Sequence, residues 1–139
     1  MTKMKHSELR VGNFLIGYEG KIITVGKVFI DSQLCGWYPC VSSDKGICYD
    51  LGYLSPVKID EDWLCRFGFH KEDWESKYGY TYSKDSCPVE IEYLKKDREY
   101  VLHKSDKCID KMGHLIKYVH ELQNLYKDIV GEELKTIDV

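Results

Sequence analysis

Val89-Glu90-Ile91-Glu92-Tyr93-Leu94, then Lys95-Lys96-Asp97-Arg98, then Glu99-Tyr100-Val101-Leu102-His103, alternates apolar and polar residues with period two on either side of a charged break. This pattern belongs to two half-buried strands joined by a turn. Pairing Leu94 with Glu99 sets Tyr93 against Tyr100, Ile91 against Leu102 and Glu90 against His103. Every apolar pair then shares a face, whereas a slip of one residue would turn one strand's apolar set away from the other's. Just upstream, Tyr78, Tyr80 and Tyr82 fall on one strand face, with Gly79, Thr81 and Ser83 opposite. Residues 73–104 therefore read as antiparallel sheet, and the tyrosine stripe needs a cover that makes it core.

Working outward, residues 105–113 are polar and read as loop. From Leu115 the apolar residues Ile116, Val119, Leu122, Leu125, Tyr126, Ile129 and Val130 recur mostly at steps of three and four. This is an amphipathic helix, with Gly131 placed as its C′ residue. Its start is open, because His114 to Tyr118 also suits a strand leading in. On the other side, Asp60 is a natural N-cap for a short helix from Glu61 to Phe67, with Glu61 and Asp62 at the positive end of its dipole and Gly68 to stop it. Leu64 and Phe67 point inward from it, with Trp63 beside them.

Residues 9–59 carry short strands and frequent turn signals. A two-residue turn at Glu19-Gly20 places Phe14 opposite Val25 and Ile16 opposite Ile23. Further strands follow at Val28-Phe29-Ile30, Leu34 to Val41, Ile47 to Leu51 and Leu54 to Ile59, with Pro39 and Pro56 at strand ends or edges because proline cannot donate to a ladder. The expected fold class is α+β, mostly β: a small SH3-like barrel over residues 1–59, then a short helix, an antiparallel sheet and a C-terminal amphipathic helix over 60–139. These form two domains or one compact unit.

The 139 residues are 43% hydrophobic, 31% charged and 13% aromatic, which excludes a disordered chain. The net charge of −3 supplies no global field for nucleic acid or anionic membrane, so neither is an expected partner. The basic residues of Met1 to Ser7 are not followed by an apolar region, and no window approaches the roughly 18 apolar residues of a membrane span. The expected location is the cytoplasm. There the six cysteines (Cys35, Cys40, Cys48, Cys65, Cys87 and Cys108) read as small buried hydrophobes rather than disulfides. No pair has the tight spacing of a zinc site, so neither a metal nor another cofactor is expected.

Three stretches, Leu9-Arg10-Val11-Gly12-Asn13, Trp63-Leu64-Cys65-Arg66-Phe67-Gly68-Phe69, and Ile116-Lys117-Tyr118-Val119-His120-Glu121-Leu122-Gln123-Asn124-Leu125-Tyr126 with Gly131-Glu132-Glu133-Leu134 after it, resemble a family of short uncharacterised proteins from Bacteroidetes genomes, prophages and phages. The resemblance spans nearly the whole chain as ordered anchors. It implies a phage or prophage type and carries no mechanism with it.

The candidate chemistry is sparse. Neither a nucleophile elbow nor a glycine-rich phosphate loop is present. Glu90 and His103 form a carboxylate–imidazole couple in the register above, matched against an ordinary cross-strand pair. His120 and Asn124, four apart on the last helix, form a polar stripe. It faces a ligand or subunit, or else it holds a neighbouring loop. Trp37, Tyr38, Tyr49 and Tyr53 load the first region with aromatics, and by alternation some of Trp37, Tyr38 and Tyr49 must point outward as a surface for peptide, base or partner chain. The expected function is a non-enzymatic interaction protein of phage or prophage type, with no catalytic residues. Its binding residues are Trp37, Tyr38, Tyr49, His120 and Asn124, its partner is a protein or small ligand, and it forms a homo-oligomer. The alternative is a phage-encoded nucleotide-binding or signal-sequestering protein using tyrosines for stacking and lysines for phosphate. Lys95, Lys96 and Arg98 with Lys104, Lys107 and Lys111 read as a local basic edge, matched against ordinary lysine-rich turns.

Overall fold

The computed structural model describes residues 4–31, 38–76, 79–104 and 113–137. Its strands are β1 (Phe14–Ile16), β2 (Ile22–Asp31), β3 (Tyr38–Ser43), β4 (Cys48–Asp50), β5 (Ser55–Pro56), β6 (His70–Ser76), β7 (Gly79–Ser83), β8 (Val89–Leu94), β9 (Glu99–Lys104) and β10 (His114–Ile116). The helices are α1 (Glu61–Arg66) and α2 (Val119–Val130). The strands form two antiparallel five-stranded sheets, ordered β4-β3-β2-β1-β5 and β10-β9-β8-β7-β6. The protein is α+β and mostly β. Two compact units divide it: residues 1–57 with 119–124, and residues 58–118 with 125–139.

In the first unit β2 is one continuous ten-residue strand, not two short ones broken near Gly26. Residues 22–24 pair with β1, and residues 25–31 pair with β3 after a register shift between Val25 and Lys27. Gly26 makes this possible. A Cβ there would meet the Ser43 carbonyl oxygen at 2.8 Å and Asp44 Cα at 3.0 Å, both backbone atoms that cannot step aside. The bulge keeps the strand running while it bends from one partner to the next.

The β1–β2 register differs by one residue from the sequence expectation. Phe14 faces Thr24, Leu15 faces Ile23 and Ile16 faces Ile22. The connection is a 3-10 turn at Tyr18–Gly20, closed by Gly17 N–H donating to the Lys21 carbonyl at 2.7 Å, rather than a two-residue turn. The longer loop turns Leu15, Ile23 and Val25 inward and leaves Phe14 and Ile16 half-buried. Leu15 and Val25 join Leu9, Val41, Tyr49 and Leu54 in the core of this unit.

Among the described residues the expected closed barrel is not found. Sheet pairing leaves β4 and β5 as its two edges. They are three and two residues long, and Pro56 in β5 has no N–H to offer, so there is too little ladder to close the ring.

In the second unit the β8–β9 hairpin has the expected register at every named pair, from Glu90–His103 through Leu94–Glu99. α1 begins as expected: Asp60 Oδ1 accepts from Trp63 N–H at 2.9 Å. Trp63, Leu64 and Phe67 are buried. Residues 114–116 are strand, pairing Ile116 with Tyr100, and α2 starts at Val119 and ends before Gly131 at φ 88°.

Replacing Gly26 by alanine is expected to lower stability by about 1–3 kcal/mol through backbone overpacking. Asp60→Ala is expected to cost about 1 kcal/mol through loss of the cap. Urea midpoints at unchanged slope check both.

Candidate functional site

His120, Gln123 and Asn124 bind the segment Glu8–Phe14. This is the second of the two readings open to the polar stripe. His120 is fully buried, and its Nε2–H donates to Glu8 Oε1 at 3.2 Å, since a carboxylate oxygen can only accept. Asn124 Nδ2 donates to the Glu8 carbonyl at 2.6 Å, and its Oδ1 accepts from Asn13 Nδ2 at 2.7 Å. Gln123 takes the Phe14 N–H on Oε1 and gives its Nε2–H to the Gly12 carbonyl, both at 2.9 Å. Most of this segment lies outside any strand, so these side chains supply the partners a ladder would otherwise give. His120 and Asn124 thus meet on one residue, Glu8.

Of the three aromatic candidates, Trp37 lies outside the described residues. Tyr38 opens β3 opposite Asp31, and its side chain lies outside the described set. Tyr49 is 6% exposed and belongs to the apolar core. The most exposed rings among the described residues are two that sequence reasoning did not select as outward-facing. Tyr18 is 50% and Tyr53 65% exposed. Tyr18 packs on Tyr49 with ring centres 4.8 Å apart, and Tyr53 sits 5.9 Å from Tyr18. Both stand on 3-10 turns, Tyr18–Gly20 and Leu51–Tyr53. The second turn is capped by Asp50 Oδ1, which accepts from Gly52 N–H at 3.0 Å.

The second unit carries a different aromatic assembly. Register places Tyr80, Tyr93, Tyr100 and Ile116 in one row across β7, β8, β9 and β10. Tyr80 and Tyr93 stack at 6.2 Å with planes 12° apart, and Tyr93 meets Tyr100 at 4.8 Å. Gly79 lets β7 approach this closely, because a Cβ there would run into the Tyr93 carbonyl. Lys71 and Lys95 lie over the Tyr80 ring at 3.7 and 4.8 Å. The Tyr100 end of the row opens on a cleft of about 420 Å³. Its lining also includes Lys58, Asp97, Arg98, Glu99, Lys117 and Tyr118. Lys58 bridges Tyr118 in antiparallel fashion, and Ile59 N–H donates to the Lys117 carbonyl at 3.0 Å, which fixes one wall. The β8–β9 turn supplies the other. The alternation around Tyr93 and Tyr100 was the available signal for this site; Lys58 and Tyr118 enter only through the fold.

Burial chiefly, with Tyr93, Asp60 and Glu61 adding to it, pushes the Tyr100 phenol up to about 12. Tyr126 is likewise pushed up to about 12 by burial and by its contact with the Cys87 thiol. Burial raises Tyr82 further still.

Other candidates take structural places. His103 faces Glu90 across the ladder, but its Nε2 lies 3.6 Å from the diagonal carboxylate of Glu92. Ser83 Oγ donates to Glu72 Oε1 and lies 3.4 Å from His70 Nε2. The described cysteines are thiols, and only Cys40 is buried. Cys48 and Cys65 are exposed, against the sequence expectation, because they sit on the outward positions of β4 and α1. Among the described residues no group of three or more His, Cys, Asp or Glu is placed to hold a metal, and no helix is long and apolar enough to cross a membrane. Comparison with family models, curated proteins and solved structures finds no match.

Asn124→Ala strands the Asn13 amide and the Glu8 carbonyl, and is expected to cost about 1–3 kcal/mol by chemical denaturation. The pH dependence follows from Tyr100 and Tyr126. Unfolded, their phenols ionise near the ordinary value of 10.0; folded, near 12. The folded state therefore holds their protons longer. Their contribution to stability is intact below pH 10 and is lost as pH rises toward 12. Tyrosinate absorbance of native protein is expected to rise at higher pH than that of unfolded protein.

Proposed function

We propose that the protein is a non-enzymatic binding module whose first unit is an SH3-like sheet that takes an extended, proline-containing peptide across Tyr18 and Tyr53. The exposure of these two rings, at 50% and 65%, carries the reading. Tyr side chains are enriched at protein interfaces, and two such rings exposed side by side suit a partner chain.

Several features favour a peptide. The rings are 5.9 Å apart and inclined at 55°, so they make a furrow rather than a flat plate. Tyr49 supports Tyr18 from below, and both turns hold their tyrosine by backbone hydrogen bonds. A polyproline-type strand arrives already ordered, with proline rings to fill furrows and carbonyls to accept from phenol hydroxyls. The strand order β4-β3-β2-β1-β5, with a 3-10 turn leading into β5, supports the SH3-like assignment.

The non-enzymatic reading is supported by where the polar groups are spent. His120 is held on Glu8, His103 lies beside Glu92, and Ser83 sits between Glu72 and His70. On the resemblance to phage- and prophage-encoded proteins, the peptide belongs to a host protein in the cytoplasm.

Titration of isotope-labelled protein with short peptides carrying proline at every third position is expected to shift resonances around Tyr18 and Tyr53. Proline-free scrambled peptides serve as the control. Tyr53→Ala is expected to weaken binding about tenfold while moving stability by less than about 0.5 kcal/mol, as befits an exposed residue. Silence at millimolar peptide overturns the reading. So does a concentration-dependent dimer that Tyr53→Ala abolishes, which would make a second copy the occupant.

A further inference from the structure

We infer that the cleft of the second unit is a separate site for a nucleoside phosphate, with the base on Tyr93 and Tyr100 and the phosphate on Arg98, Lys58 and Lys117.

Size comes first. A volume of about 420 Å³ lies within the range of small-molecule sites and suits one nucleotide rather than a polymer. The aromatic row then gives direction. Its Tyr80 end is covered by the ammonium groups of Lys71 and Lys95, whereas its Tyr93 and Tyr100 rings line the cleft. A planar base can pack against these lining tyrosines, an interaction open to every base because each has a π-face. Ile59 and Ile116, both buried, add apolar surface to the same lining.

Charge selects the other half of the ligand. Three cations come from three separate stretches of chain: Lys58 before α1, Arg98 in the β8–β9 turn and Lys117 after β10. Two carboxylates, Asp97 and Glu99, share the lining, so the cations exceed the acids by one. A guanidinium and two ammonium groups lining one cleft suit a phosphate. Asp97 and Glu99 offer acceptors to ribose hydroxyls or base amines, which bare phosphate lacks. The Tyr100 phenol stays protonated at neutral pH and remains a donor.

Arg98 supplies an independent observation. It is held at φ 54°, in the left-handed region that glycine or asparagine would occupy more cheaply. Arginine there costs the hairpin stability and places a cation at the mouth of the cleft. Strain retained at such a position is a mark of use.

The site is distinct from the Tyr18–Tyr53 surface, and the test separates the two. Full-length protein is titrated by calorimetry with purine and pyrimidine 5′-monophosphates, with the matching nucleosides and with inorganic phosphate. At least one nucleotide is expected to bind in the submillimolar range, about tenfold or more tighter than its nucleoside or phosphate alone. Arg98→Gly is expected to raise the thermal midpoint, by relieving the backbone, and to weaken that nucleotide about tenfold. Tyr53→Ala is expected to leave nucleotide binding unchanged. No heat at millimolar nucleotide overturns the proposal, as does equal binding by nucleoside, by phosphate or by the Arg98→Gly protein.

Discussion

The first unit depends on the grip of α2 on the segment Glu8–Phe14. A chain segment without a ladder must find other partners for its N–H and C=O groups or leave them unmet at a cost of about 1–3 kcal/mol each when buried. Gln123 closes on Gly12 and Phe14, Asn124 on Glu8 and Asn13, and His120 on the Glu8 carboxylate. Leu9, within the held segment, is thereby kept in the core with Leu15 and Tyr49. Three polar residues on a helix thus do work usually done by a neighbouring strand.

The same residues show what can be read from a sequence. The β8–β9 hairpin was legible to the residue, because alternation on both sides of a charged turn leaves one register in which the apolar pairs agree. The Asp60 cap and the inward side of α1 were legible for similar local reasons. The β1–β2 hairpin was not. Phe14, Leu15 and Ile16 are all apolar, so either face could have been the inner one, and the choice fell to a 3-10 turn with no strong signature. The bulge at Gly26 was not legible either, since only the approach of Ser43 explains it. His120 and Asn124 were visible as a polar pair, but their partners lie more than a hundred residues away, where spacing says nothing. For the same reason Lys58 and Tyr118 could not be joined to the tyrosine row before the fold was known.

The sequence carries eleven tyrosines, and six of the described ones form two arrangements. In the first unit one ring is core and supports two that are exposed. In the second, register lines the rings up from strand to strand until the row ends at a cleft. Tyrosine serves both arrangements because its body packs as an apolar plate while its hydroxyl remains available for a polar partner. The first arrangement offers a ridge and the second a recess, so they suit ligands of different size and charge.

The hold of α2 on the N-terminal segment also dictates an order of events during synthesis. Its hydrogen bonds join residues 109 to 116 positions apart. While the nascent chain is still on the ribosome, residues 8–14 have emerged long before their partners are translated. The early sheet must wait, without its clamp, until residues 120–124 have emerged as well. Such long-range closure slows folding, and a chain truncated ahead of α2 would leave the first unit open to chaperones and proteases.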